Sequence, residues 1–176
     1  MMAKKRVLWI GVMLVALAGC RSKSPAHSRA RPGAPAGEIG SRLPEFSVKG
    51  LRGRRISTAD FRGKVVLVDF WATWCQPCEK EMPGYQKLAQ TYGPRGFAVV
   101  GFKSGMMMDT EDPLHFAARV GVRYPLAVAT DALVGKFGGL KGLPTTLIYD
   151  RQGILRTKII GFEYASTFER DVKRLL

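Results

Sequence analysis

The sequence predicts an α/β domain, a central mixed sheet flanked by helices, on three observations. Two uninterrupted β-branched and aromatic runs, residues 64–71 and 96–102, have the composition of parallel strands buried on both faces. Between them lies a helical stretch that stops at Tyr92-Gly93-Pro94, so strand, helix and strand follow one another as a right-handed βαβ unit. Downstream, residues 145–149 and 154–160 flank Asp150-Arg151-Gln152-Gly153, as an antiparallel hairpin requires.

The remaining elements follow in order. Residues 43–48 and 54–57 surround a turn marked by Gly50 and Gly53, so the domain opens with a short β-hairpin. Lys64 to Trp71 is the central strand and leads directly into Cys75-Gln76-Pro77-Cys78 and a helix with Leu88 on its apolar side. After the second strand, residues 103–112 fit no regular pattern and read as an insertion. Asp112-Pro113 then marks a helix start, with the helix running to about Val120 before Gly121. A further helix is predicted near 131–137, and a last one over roughly 165–175.

The first 42 residues have other compositions. Lys4, Lys5 and Arg6 precede an apolar run from Val7 to Gly19 that ends at Cys20, the pattern of an export signal over residues 1–19. Its thirteen residues would span about 20 Å as a helix, short of the roughly 30 Å of bilayer hydrocarbon. Leu17-Ala18-Gly19-Cys20 resembles the bacterial lipobox, which implies lipidation of Cys20 and attachment to the cell membrane or outer membrane, facing the periplasm or exterior. An ordinary secretory signal or an uncleaved anchor would export the rest as well. Residues 20–42, rich in Ala, Pro, Ser, Gly and Arg, read as the lipidated Cys and a flexible tether, leaving 43–176 as one domain.

The formal net charge is +14, which suits attraction to an anionic surface but equally describes a basic, solvated tether. No basic motif interleaved with aromatic residues points to nucleic acid.

The chemistry centres on Cys75 and Cys78. Positions i and i+3 share one face of a first helical turn, so both sulfurs come within disulfide reach, and the first sits at the positive end of the helix dipole. A thiolate is favoured there, which makes Cys75 the attacking sulfur and Cys78 the resolving one. Zinc would need four ligands. Cys20 is assigned to lipid, and His27 and His115 lack metal-ligand spacing, so neither a metal nor another cofactor is expected.

The run Val68-Asp69-Phe70-Trp71-Ala72-Thr73-Trp74-Cys75-Gln76-Pro77-Cys78 resembles the active site of the thioredoxin superfamily. Glu79-Lys80-Glu81-Met82-Pro83 and Gly142-Leu143-Pro144-Thr145-Thr146 are similar to the membrane-attached TlpA/ResA-like members, and the likeness covers roughly 43–176. It implies a thioredoxin-like fold and thiol:disulfide oxidoreductase activity. It also implies a cis bond before Pro144, pairing of the Leu143 backbone with substrate, and a kink at Pro83. Trp74, Pro77, Leu143 and Pro144 would then form an apolar rim for an extended peptide bearing a cystine, while Trp71 fits the core as well.

Two carboxyl groups are candidates for proton exchange with Cys78. Asp69 lies six residues before Cys75 in an apolar strand, where burial would raise its pKa. It matches the buried Asp of thioredoxin itself, where many TlpA/ResA-like proteins carry Asn. Glu81 continues the face of Cys75 and Cys78 and matches a glutamate of ResA-like proteins, though an acid in a first helical turn also suits the dipole.

Gln76-Pro77 resembles the dipeptide of reducing relatives, so the expected activity is reduction of disulfides in exported proteins, with an upstream membrane thiol reductase restoring the dithiol. Two rivals share the fold. A thiol peroxidase would need Thr-x-x-Cys, whereas Thr73 stands at the wrong distance from Cys75. A copper-delivery module of the Sco type would need Cys-x-x-x-Cys and a downstream His. Met106-Met107-Met108 offers soft ligands for Cu(I), but three consecutive residues of any regular element point in different directions.

Overall fold

The structure is a computed structural model and describes residues 34–104, 109 and 111–176. The export signal, Cys20, most of the tether and Met106 to Met108 lie outside the described residues.

A two-stranded antiparallel hairpin, β1 (Ser47–Lys49) and β2 (Arg55–Ser57), precedes the main sheet. Then follow β3 (Val65–Trp71), α1 (Gln76–Tyr92), β4 (Phe97–Ser104), α2 (Pro113–Arg119), β5 (Leu126–Ala129), α3 (Asp131–Lys136), β6 (Thr145–Tyr149), β7 (Leu155–Ile160) and α4 (Ala165–Leu175). The sheet order is β5-β4-β3-β6-β7; β3, β4 and β5 are parallel, whereas β6 and β7 run antiparallel to their neighbours. This is the predicted mixed sheet, with one strand more than the sequence pattern indicated. That strand, β5, is four residues long and lies at an edge, with two alanines among its members.

Every residue of β3 is buried, because helices cover both faces of the sheet. Val65, Leu67 and Trp71 face α1 and α4, where they meet Met82, Tyr85, Leu88, Phe168 and Val172. Val66, Val68 and Phe70 point the other way into a core with Phe46, Phe61, Phe102 and Phe137. Strand alternation puts Asp69 on the first face. Opposite it in β4 is Gly101, where an added Cβ would stand 2.5 Å from Leu126 and 3.1 Å from the Trp71 indole nitrogen. Only a glycine lets those side chains close over the strand.

The folded unit reaches further back than the predicted start at 43. Gly40 donates its N–H to the Leu155 carbonyl at 2.9 Å, the Ser41 carbonyl accepts from Leu155 at 2.9 Å, and Lys158 reaches the Gly37 carbonyl. Residues 37–42 therefore lie against β7 and do not belong to a free tether. Their sequence carries no strand signal because the backbone, not apolar side chains, makes the attachment. Among the described residues no helix is long and apolar enough to cross a membrane.

Candidate active site

Four residues separate the end of β3 from the start of α1, and Cys75 is the last of them. It caps the helix: its Sγ accepts the Cys78 backbone N–H at 3.3 Å, the place normally taken by a serine or aspartate oxygen. Pro77 at the start of the helix has no N–H to leave unpaired. Cys75 and Cys78 form a disulfide, with Cys75 3% exposed and Cys78 fully buried, so attack from outside can reach only the first sulfur.

The Leu143–Pro144 peptide bond is cis, as the sequence resemblance implied. Pro144 directly precedes β6, and Phe70 pairs with Thr145, so this bond lies at the same end of the sheet as the Cys75 turn. The Pro144 carbonyl accepts from Gly161 at 2.8 Å, which ties in the segment leading to α4. Around this end, Trp74 is 38% exposed and Pro77 is exposed, while Leu143 is half-buried and Pro144 is buried. Phe162 and Tyr164 add an exposed edge-to-face pair with centroids 5.3 Å apart. Trp71 does not join this surface: it is wholly buried and stacked on Phe116 at 5.1 Å.

Asp69 is completely buried, and neither carboxyl oxygen has a hydrogen-bond partner among the described residues. Desolvation, with a smaller contribution from the like charge of Glu81, pushes its pKa well above the ordinary carboxylate range. Glu81 is also buried, but both of its oxygens are held. One accepts the Tyr85 hydroxyl at 2.7 Å and the other accepts the Glu163 backbone N–H. Desolvation raises its pKa, and these two hydrogen bonds, which favour the anion, limit the rise. The structure thus buries both predicted acids between the sheet and α1, Asp69 from the sheet and Glu81 from the helix.

Three residues of this site carried no clear signal. Tyr85 was visible in principle, four residues after Glu81 on the same helix. Thr146 enters through the β3–β6 register, where it stands directly opposite Asp69, and its hydroxyl lies 2.8 Å from that of Tyr85. Glu163 contributes through its backbone and leaves no trace in side-chain chemistry.

Glu79, by contrast, turns outward and pairs with Arg119, which also binds Glu111. The acids of the first turn therefore have separate surroundings, one solvated and one buried.

Comparison with known proteins agrees with this geometry. A family model described as the AhpC/TSA family matches residues 39–158. The thiol-disulfide oxidoreductase ResA of Geobacillus thermodenitrificans is 35% identical over 139 residues, covering 78% of this chain and 76% of that protein. The ResA of Bacillus thuringiensis subsp. konkukian is 32% identical over 139 residues, covering 78% and 79%. Among solved structures, a thiol:disulfide interchange protein of the thioredoxin family from Chlorobium tepidum superposes with a TM-score of 0.71 at 31% identity, over 81% of this chain and 97% of that one. With its capped Cys75–Cys78 pair on a thioredoxin-like sheet, the chain belongs to the AhpC/TSA family as a ResA/TlpA-like thiol:disulfide oxidoreductase of the thioredoxin superfamily.

Proposed function

We propose that this oxidoreductase works as a reductase of disulfides in exported proteins, held at the outer face of a bacterial membrane by a lipid on Cys20. The observation that carries the redox assignment is the helix cap: a Cys75 thiolate at that position keeps the Cys78 N–H as a hydrogen-bond donor and the positive end of the α1 dipole, which makes it the attacking sulfur. The reducing direction rests on the likeness of Gln76-Pro77 to the dipeptide of reducing relatives.

In the forward direction the Cys75 thiolate attacks one sulfur of a substrate cystine and expels the other as a thiolate. The Cys78 thiol passes its proton to the Asp69 carboxylate, which burial makes a stronger base than an exposed aspartate. The Cys78 thiolate then attacks Cys75 Sγ, closes the Cys75–Cys78 disulfide and releases the second substrate thiolate, which takes up a proton. Two electrons have passed from the dithiol to the substrate. An upstream membrane thiol reductase returns them. Trp74, Pro77, Leu143 and Pro144 seat the extended segment that carries the cystine, and Glu81 exchanges the proton with solvent.

Insulin reduction with a chemical dithiol as electron source tests the chemistry: Cys75→Ser should abolish turnover, and retained activity would refute the assignment. A Cys78→Ser protein should accumulate a mixed disulfide on Cys75 whose partner can be identified by mass. Labelling of the wild type but not of Cys20→Ala with a fatty-acid probe tests the anchor.

A further inference from the structure

Hydrogen bonds run from Glu81 as far as Thr146, the cross-strand neighbour of Asp69. Tyr85 follows Glu81 by one helical turn, and its hydroxyl lies 2.7 Å from Glu81 Oε2 and 2.8 Å from Thr146 Oγ1. Thr146 is the direct cross-strand partner of Asp69, and strand alternation puts both side chains on the α1 face of the sheet. The order across the domain is therefore Asp69, Thr146, Tyr85, Glu81 and the Glu163 N–H near the surface.

A tyrosine hydroxyl has one proton to give, so its two contacts cannot both be donations. With Glu81 ionised, Tyr85 donates to it and Thr146 donates to Tyr85, which leaves the Thr146 oxygen able to accept from a protonated Asp69. With Glu81 protonated, each donation reverses, and Thr146 offers its proton to an ionised Asp69. The last link is not formed in the structure, where the Asp69 oxygens have no hydrogen-bond partner among the described residues, and it requires rotation of the Asp69 carboxyl toward Thr146.

We propose that Tyr85, with Thr146, is a positioning residue that couples Asp69 and Glu81 into one proton store, so that a proton taken from Cys78 at Asp69 leaves by way of Glu81. Each hydroxyl gains one proton and gives up one, and the net change is protonation of Glu81 and ionisation of Asp69. The charged and titratable groups facing this row are the Glu163 carboxylate from the segment before α4, Tyr124 from the segment before β5, and Cys78 on α1 itself. Burial raises the hydroxyls of Tyr85 and Tyr124, so neither ionises, and Tyr85 serves only to pass and orient. Tyr85 also packs edge-to-face on Phe168 at 5.1 Å, a contact that Tyr85→Phe retains.

This inference rests on the cycle proposed above. The test is the rate at which Cys78 resolves a Cys75 mixed disulfide, measured across pH for the wild type, Tyr85→Phe, Glu81→Gln and the double variant. Tyr85→Phe should slow resolution about tenfold and move the acid limb of the profile to higher pH, because Glu81 loses a hydrogen bond that favours its anion. The double variant should be no slower than Glu81→Gln alone. Rates that multiply, or an acid limb that stays in place, would overturn the coupling. If Tyr85→Phe fails to fold, Thr146→Val against Thr146→Ser decides in the same way: only Val should slow resolution, and equal rates would overturn it. A wild-type protein that forms no mixed disulfide refutes the redox cycle itself and the coupling with it, whereas normal cycling with multiplicative rates refutes the coupling alone.

Discussion

The backbone N–H of Glu163 donates to the carboxyl group of Glu81 across a sequence separation of 82 residues. Glu81→Gln keeps an oxygen to accept that N–H and turns an amide NH2 toward Tyr85, whose hydroxyl can accept from it, while removing the titratable group. The variant should fold normally and resolve mixed disulfides about tenfold to a hundredfold more slowly at neutral pH. Stopped-flow kinetics with a peptide mixed disulfide would check this, and an unchanged rate would exclude Glu81 from proton exchange.

Asp69 predicts a pH dependence of stability with a definite sign. An unfolded aspartate titrates near pH 4, whereas the folded one titrates well above it. Between these values the native state holds more protons than the unfolded state, so stability falls as pH rises through the window. Asp69→Asn removes this loss. Denaturant unfolding of the oxidised proteins should show the variant gaining on the wild type from pH 4 upward. A stability difference, variant minus wild type, that is constant or falls as pH rises would contradict the burial of an unpaired carboxyl.

Lys103 is buried at the end of β4, and its ammonium is paired with Asp109, which also accepts from Thr73 beside the active-site turn at 3.0 Å. Asp109→Ala leaves the ammonium without that partner. The expected loss is about 1–3 kcal/mol, below the range for fully enclosed pairs because the carboxylate is partly exposed. Lys103→Met in the same background should recover part of it, as thermal or denaturant unfolding of the two variants would reveal.

Gly84 sits where α1 meets the first residue of α4, and a Cβ added there would stand 2.9 Å from the Ala165 Cβ. Alanine normally improves a helix interior by roughly 1 kcal/mol over glycine. Here the clash should reverse the sign, with Gly84→Ala destabilising by about 1 kcal/mol. Adding Ala165→Gly should restore stability, and simple additivity of the two changes would argue against the contact.

Legibility in the sequence followed the physical carrier of each feature. Residues 64–71 and 96–102 were readable because burial on both faces leaves runs that are apolar but for Lys64 and Asp69. Leu126 to Ala129 escaped notice because four residues at an edge, with Val128 facing solvent, show no period. The same division holds at the site. Cys75, Cys78, Asp69 and Glu81 stand out by residue type, whereas Thr146 depends on the pairing of strands 77 positions apart in the chain and Glu163 acts only through its peptide group.

The central position of β3 has a mechanical consequence. Its backbone is bonded to β4 along its whole length and to β6 along most of it, so Asp69 stands on a fixed bench while the reacting sulfurs belong to a turn and a helix start beyond the strand's end. Bond exchange can rearrange the one without displacing the other. Amide protons of residues 66–70 should thus exchange with deuterium at the same slow pace in both redox forms, and differences should gather in residues 72–79.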